Sequence, residues 1–208
     1  LRDDYNFGAV RNQKYLGWCY AYAITDLFSF YAKQNISAFD VALSLYREHP
    51  EYGIDTKAHI TEISGGRPDW AFAAVVKNGM CAERKVSTQG SITSPSYYLI
   101  EDLVKSVAAL DRTEPEFSMS IRRTVLQNAW RLRVVFPSTS VEELILAFQK
   151  MIYEQRPFVS LIDSVCGERI PLLNRQITVR RFATPAPMTA YVQQKLISRN
   201  PLVISYPG

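Results

Sequence analysis

The thiols and imidazoles of this sequence are few: Cys19, Cys81, Cys166, His49 and His59. The cysteines are too widely spaced for a CxxC pair, so no metal site of that kind is expected, and neither a metal nor a cofactor is implied. At most one disulfide can form within the chain, and Cys81–Cys166 is the pairing that leaves Cys19 free. Cys19 has the most informative surroundings, Gln13-Lys14-Tyr15-Leu16-Gly17-Trp18-Cys19-Tyr20-Ala21. A cysteine attacks as its thiolate. At the first turn of a helix it meets unpaired backbone N–H groups and the positive end of the helix dipole, and both favour the anion. Acyl transfer also needs donors aimed at the developing oxyanion. The Cys19 N–H is one candidate, and the Gln13 side-chain amide, a few residues upstream, is another. Gly17 has no Cβ and lets a substrate come close to the backbone. On residue physics alone, a cysteine at an apolar helix start also reads as a small buried hydrophobe.

The elements that must position these residues follow from periodicity and punctuation. Residues 1–18 read as an extended lead-in. Residues 19–34 are apolar on nearly every face, which predicts a helix buried on most sides. Ser37 caps a second helix from Ala38 to about Glu48, with Asp40 placed for a capping-box-like arrangement. Residues 50–64 read as a loop. Gly65–Gly66 lead into a helix that starts at Pro68 and ends at Gly79, with Trp70, Ala73, Ala74 and Val76 expected on its buried face. Helical patterns follow near 95–110 and 118–130. Ser140 with Glu143 opens another helix that runs to about Glu154. Phe158–Ile162 reads as a short strand, 176–182 as an alternating strand, Thr184 as the cap of a helix to about Ser198, and Pro201–Tyr206 as a last strand. Helices first and strands gathering at the end predict an α+β chain, with a boundary between a helical lobe and a sheet-containing one somewhere in 155–180.

Gln13 through Ala21 resembles the nucleophile segment of the papain-like cysteine peptidases, a glutamine six positions before the cysteine, then an aromatic and alanine. The family usually has tryptophan where Tyr20 stands here. Gly65-Gly66-Arg67-Pro68 resembles the family's Gly-Gly segment at the expected distance, and Lys77-Asn78-Gly79-Met80 is similar to the end of the helix that follows it. The resemblance implies Cys19 as nucleophile and Gln13 as oxyanion support. It implies Gly17, Trp18, Gly65, Gly66 and Pro68 as substrate-binding residues, with Pro68 near the pocket for the second residue before the cut. It also implies a papain-like fold: a helical lobe over 1–89, a helix-rich insertion over 90–175 and the start of a sheet-rich lobe over 176–208. Many members join a cysteine three residues before the nucleophile to one just ahead of the glycines. Leu16 and Ile63 stand near those places here, so that disulfide cannot form.

The resemblance implies a thiol-dependent endopeptidase that hydrolyses peptide bonds through a thioester. Its base would be a histidine oriented by an asparagine, and both belong downstream of the Pro201–Tyr206 strand. His49, at the end of a surface helix, and His59, in a loop ahead of the glycines, read as ordinary surface residues. The expected partners are therefore a peptide or protein substrate and a second chain or C-terminal segment that completes the site and covers the last strand. The alternative is a catalytically inactive module of the same type that binds peptides or proteins. A transferase or amide hydrolase on the same fold is a third reading. Leu1 in first place fits a chain from which a leader or pro-segment has been removed, or part of a longer chain. The compartment stays open, with a secreted or periplasmic setting favoured.

Composition narrows the rest. The chain has 208 residues, 47% of them hydrophobic and 21% charged, an ordinary balance for a chain that buries a core. The net charge of +4 is mild, and the basic residues are scattered apart from pairs such as Arg122–Arg123 and Arg180–Arg181. No nucleic-acid partner is expected from that pattern. No apolar run is long enough to span a membrane.

Overall fold

The computed structural model describes residues 12–52, 65–91, 94–172, 180, 182–198, 200 and 202–203. Of these, 62% are helical. Along the chain the elements are α1 (Cys19–Ala32), α2 (Ala38–Glu48), a 3₁₀ turn (Pro50–Tyr52), α3 (Pro68–Asn78), β1 (Gln89–Ser91) and β2 (Ser94–Pro95). They continue as α4 (Ser96–Ala108), α5 (Phe117–Gln127), α6 (Ala129–Val135), α7 (Val141–Met151), α8 (Pro157–Cys166) and α9 (Pro185–Ile197). Among the described residues the only sheet is the antiparallel β1–β2 pair, with Gln89 opposite Pro95 and Ser91 opposite Ser94.

This overturns the expected α+β, papain-like fold. The described chain is helical, and the segment read as the strand Phe158–Ile162 is helix α8. The error has a physical source. A short apolar run rich in valine and isoleucine fits a buried strand or a buried helix equally well. The decisive signals flank it. Pro157 occupies the first turn and Gly167 ends the helix with φ 63°, the usual proline-first, glycine-last asymmetry of helices. Phe158, Leu161, Ile162 and Val165 then face the core at helical spacing. Most of the expected strands over 176–182 and Pro201–Tyr206 lies outside the described residues, as do Ile63 and His59.

Other helices form where their caps predict. Ser37 accepts a hydrogen bond from the Asp40 N–H at the start of α2 (3.2 Å). Ser140 and Glu143 make a full capping box at the start of α7, which satisfies two end donors at once. The Glu143 carboxyl is held below its ordinary pKa by the Ser140 backbone and hydroxyl. The buried face of α3 is Ala71, Ala74 and Val75. Ala73 is exposed and Trp70 half-buried, so the expected face was rotated.

A single apolar cluster runs from Leu16 to Cys166. α1, α2 and α3 pack on one another, α7 packs on α8 and α5, and α4 lies against α6. The aromatic centre is Trp18, Phe39, Tyr97 and Phe158, with ring centroids 5.2–6.4 Å apart in the contacting pairs. Residues expected in the helical lobe (Trp18, Phe39) and in the insertion (Tyr97, Phe158) therefore share one core. Cys81 and Cys166 form a disulfide across the same two segments, with Cα atoms 5.6 Å apart. Met80 and Ile170 exchange backbone hydrogen bonds of 2.8 and 2.9 Å alongside it.

Candidate active site

Cys19 is the first residue of α1, its side chain is exposed, and it is the free cysteine among those described. No side chain caps the start of α1. Neither the Cys19 N–H nor its thiol has a hydrogen-bond partner among the described residues. An exposed sulfur at an uncapped helix start has access to solvent, to a substrate and to the donor end of the helix. The sequence left two readings of Cys19 open, and the buried-hydrophobe one does not hold.

The loop ahead of Cys19 is held along its length. The Asn12 N–H donates to Gln89 Oε1 (3.0 Å) and the Lys14 N–H to Asn12 Oδ1 (2.8 Å). The Leu16 N–H donates to the Gln13 carbonyl (3.1 Å) and the Trp18 N–H to that of Leu16 (2.8 Å). Lys14 takes the left-handed conformation with φ 50° to make the turn. Leu16 and Trp18 then plug the core, at 1% and 0% exposure. Buried anchors on both sides of Gly17 fix where the sulfur emerges. Gln13 is half-buried in the turn.

The Gly-Gly segment comes to the same place. The Gly65 N–H donates to the Gly17 carbonyl across 3.2 Å. Gly66 has φ 148°, and a Cβ built on it would lie 2.3 Å from Leu45 Cδ2 and 2.7 Å from Tyr20 Cε1. Only a glycine lets the backbone lie against Tyr20, the residue next to Cys19. Pro68 follows as the first residue of α3. Gly17, Gly65 and Gly66 are therefore neighbours around the start of α1. Trp18 is not part of any open surface. Its ring is fully buried between Phe39 and Tyr97, and the expected substrate-binding role is corrected to a core role.

Two features of the described residues escaped the sequence reading. His49 caps the C-terminus of α2, where its N–H bonds to the Leu45 carbonyl (2.9 Å). Its ring stacks on Trp70 at 4.3 Å and 13°, and Nδ1 lies 3.1 Å from Glu51 Oε1. The Arg67 guanidinium also lies over Trp70, at 4.8 Å. Next to His49, Glu48 is held below its ordinary pKa by hydrogen bonds from Lys77 and Asn78. His49 is thus a built residue and not a loose surface histidine; an aromatic one turn into α3 was the available signal. The second feature is Asp40. Its N–H serves the cap, but its carboxylate does not complete a capping box. Fully buried, it takes two 2.9 Å hydrogen bonds from Arg169 and one of 2.9 Å from the Cys81 N–H. Asp163 pairs with both Arg169 and Arg47. Burial alone would lower the Arg169 pKa, and the carboxylates of Asp40 and Asp163 more than reverse this, leaving it raised. A lone carboxylate in the apolar run Ala38–Leu45 was the signal, because a buried charge must be paired.

Among the described residues no cluster of His, Cys, Asp and Glu could hold a metal ion, and no helix is long and apolar enough to cross a membrane. No protein family, no curated protein and no solved structure matches this chain.

Proposed function

We propose that this protein is a thiol-dependent peptidase in which Cys19 attacks a peptide carbonyl. One observation carries the reading: an exposed, unpartnered cysteine at the uncapped start of α1, beside a glycine pair hydrogen-bonded to the residue two before it. The Cys19 sulfur would bond to the carbonyl carbon, and the Cys19 N–H would face the resulting oxyanion. Collapse of the tetrahedral species would release the amine with a proton from the base and leave a thioester, which water would hydrolyse. Gly17 and Gly65 are half-buried and joined to each other, and their remaining backbone groups would meet an extended peptide, which binds through main-chain hydrogen bonds. The likeness of Gln13–Ala21 to the papain-family nucleophile segment supports the same assignment and makes Gln13 the second oxyanion donor.

The base would come from a further segment or second chain, as the papain-family resemblance implies; His49 is engaged by Trp70 and Glu51, and His59 lies outside the described residues. The chain with that segment should be modified once, on Cys19, by an epoxide peptidomimetic, and Cys19→Ala should abolish the labelling. Cys81 and Cys166, held in their disulfide, should stay unmodified. Labelling no faster than that of a small free thiol, with no peptide turnover, would remove the reading. Peptide binding that survives Cys19→Ala without turnover would instead establish an inactive binding module.

A further inference from the structure

We propose that the outer face of α5 and α6 is a docking surface for an anionic phospholipid membrane. The two helices form one bent rod. They meet at Asn128, whose N–H bonds to the Thr124 carbonyl (3.2 Å) and whose carbonyl accepts from the Leu132 N–H (3.1 Å), so this one residue ends α5 and starts α6. The buried stripe Ile121, Val125, Leu132 and Val135 faces the core. The opposite stripe keeps the same three-and-four spacing. It carries Met119, Leu126, Trp130 and Val134, which are 56%, 49%, 62% and 38% exposed. Arg122, Arg123 and Arg133 are exposed between them, and Arg131 lies over the Trp130 ring at 5.2 Å.

The charge on this rod is of one sign. Residues 117–141 contain four arginines and no lysine, aspartate or glutamate. The whole chain has 24 basic and 20 acidic residues. The rod thus holds four of the basic residues and none of the acidic ones; residues 169–208, with six basic residues and no acidic one, are a second stretch of one sign. None of the four arginines pairs with a carboxylate. Glu116 flanks one end, and Glu142 and Glu143 follow the other, the last held in its capping box. Unneutralised arginines call for an anionic partner. A row of large apolar side chains set among them gains nothing from a phosphate backbone, but it gains by entering the boundary between headgroups and acyl chains. The face is the outer side of two consecutive helices, about 16 Å and about 10 Å long, not a groove for a peptide.

The test is co-sedimentation of the intact protein with vesicles of phosphatidylcholine alone or with about a third phosphatidylserine. Binding is expected only with phosphatidylserine, and it should fall steeply with salt. Arg122→Gln with Arg123→Gln should weaken it about twenty-five-fold, at about fivefold for each basic contact. Trp130 emission should shift to the blue on binding, and Trp130→Phe should remove that shift. These substitutions are exposed, and unchanged far-UV circular dichroism verifies the fold. Equal binding to neutral vesicles, no binding to either, or an unaffected double variant would overturn the proposal. Tighter binding to an oligonucleotide than to vesicles would overturn it in favour of a nucleic acid.

Discussion

Replacing Asp40 by alanine should cost about 3 kcal/mol, which tests whether the Asp40–Arg169 pair is the clamp that holds α2 to the far end of the chain. The carboxylate is fully buried and accepts from both Arg169 guanidinium nitrogens and from the Cys81 N–H, all at 2.9 Å, while Arg47 lies 3.6 Å away. Removing one partner of a buried ion pair costs about 3–5 kcal/mol, because the other charge stays buried without it. Here Asp163 still pairs with Arg169 and Arg47, which places the expected loss at the low end of that range. For a chain of this size such a loss lowers the melting temperature by about 6–12 °C. Urea unfolding of Asp40→Ala, Arg169→Met and Asp40→Ala/Arg169→Met gives the energies and the coupling. The double variant should be less destabilised than the sum of the singles by more than about 1 kcal/mol, because it removes both charges together. A single-variant loss under about 0.5 kcal/mol, or additive energies, would refute the clamp.

Three further outcomes follow from the same geometry. Removing the disulfide in Cys81→Ala/Cys166→Ala should destabilise by about 4.5 kcal/mol, the chain-entropy value for a closed loop of this length, the two cysteines being 85 residues apart; a loss under about 1 kcal/mol in chemical denaturation contradicts it. Gly66→Ala puts a Cβ into Leu45 and Tyr20 at a positive φ; it should cost more than about 1 kcal/mol and slow Cys19 alkylation, and a neutral effect on both would separate the glycine pair from the site. Glu48 has a lowered pKa, through Lys77 first and Asn78 second. Its contribution to stability is present above the unfolded carboxyl range and disappears as pH falls through the lower folded value. NMR titration of Lys77→Met should move the Glu48 midpoint upward, and an unmoved midpoint would show that the Lys77 contact is not what holds it.

Local signals decided much of this molecule. Ser37, Pro68 with Gly79, and Ser140 with Glu143 punctuate α2, α3 and α7 because a cap acts within one turn of its own residue, so its chemistry is written in adjacent positions. Cys19 at the head of an apolar helix was legible for the same reason. Tertiary structure decided what depends on partners distant in sequence. It made α8 a helix where an apolar run fits either state. It sent Trp18 into the core against Phe39 and Tyr97, and turned Asp40 from a capping residue into the centre of an ion network with Arg169, across 129 residues. It closed the Cys81–Cys166 bond, brought Gly65 to Gly17, and stacked His49 on Trp70. A periodic pattern shows which side of an element is apolar, but not which other element will cover it, and burial energy depends on the cover.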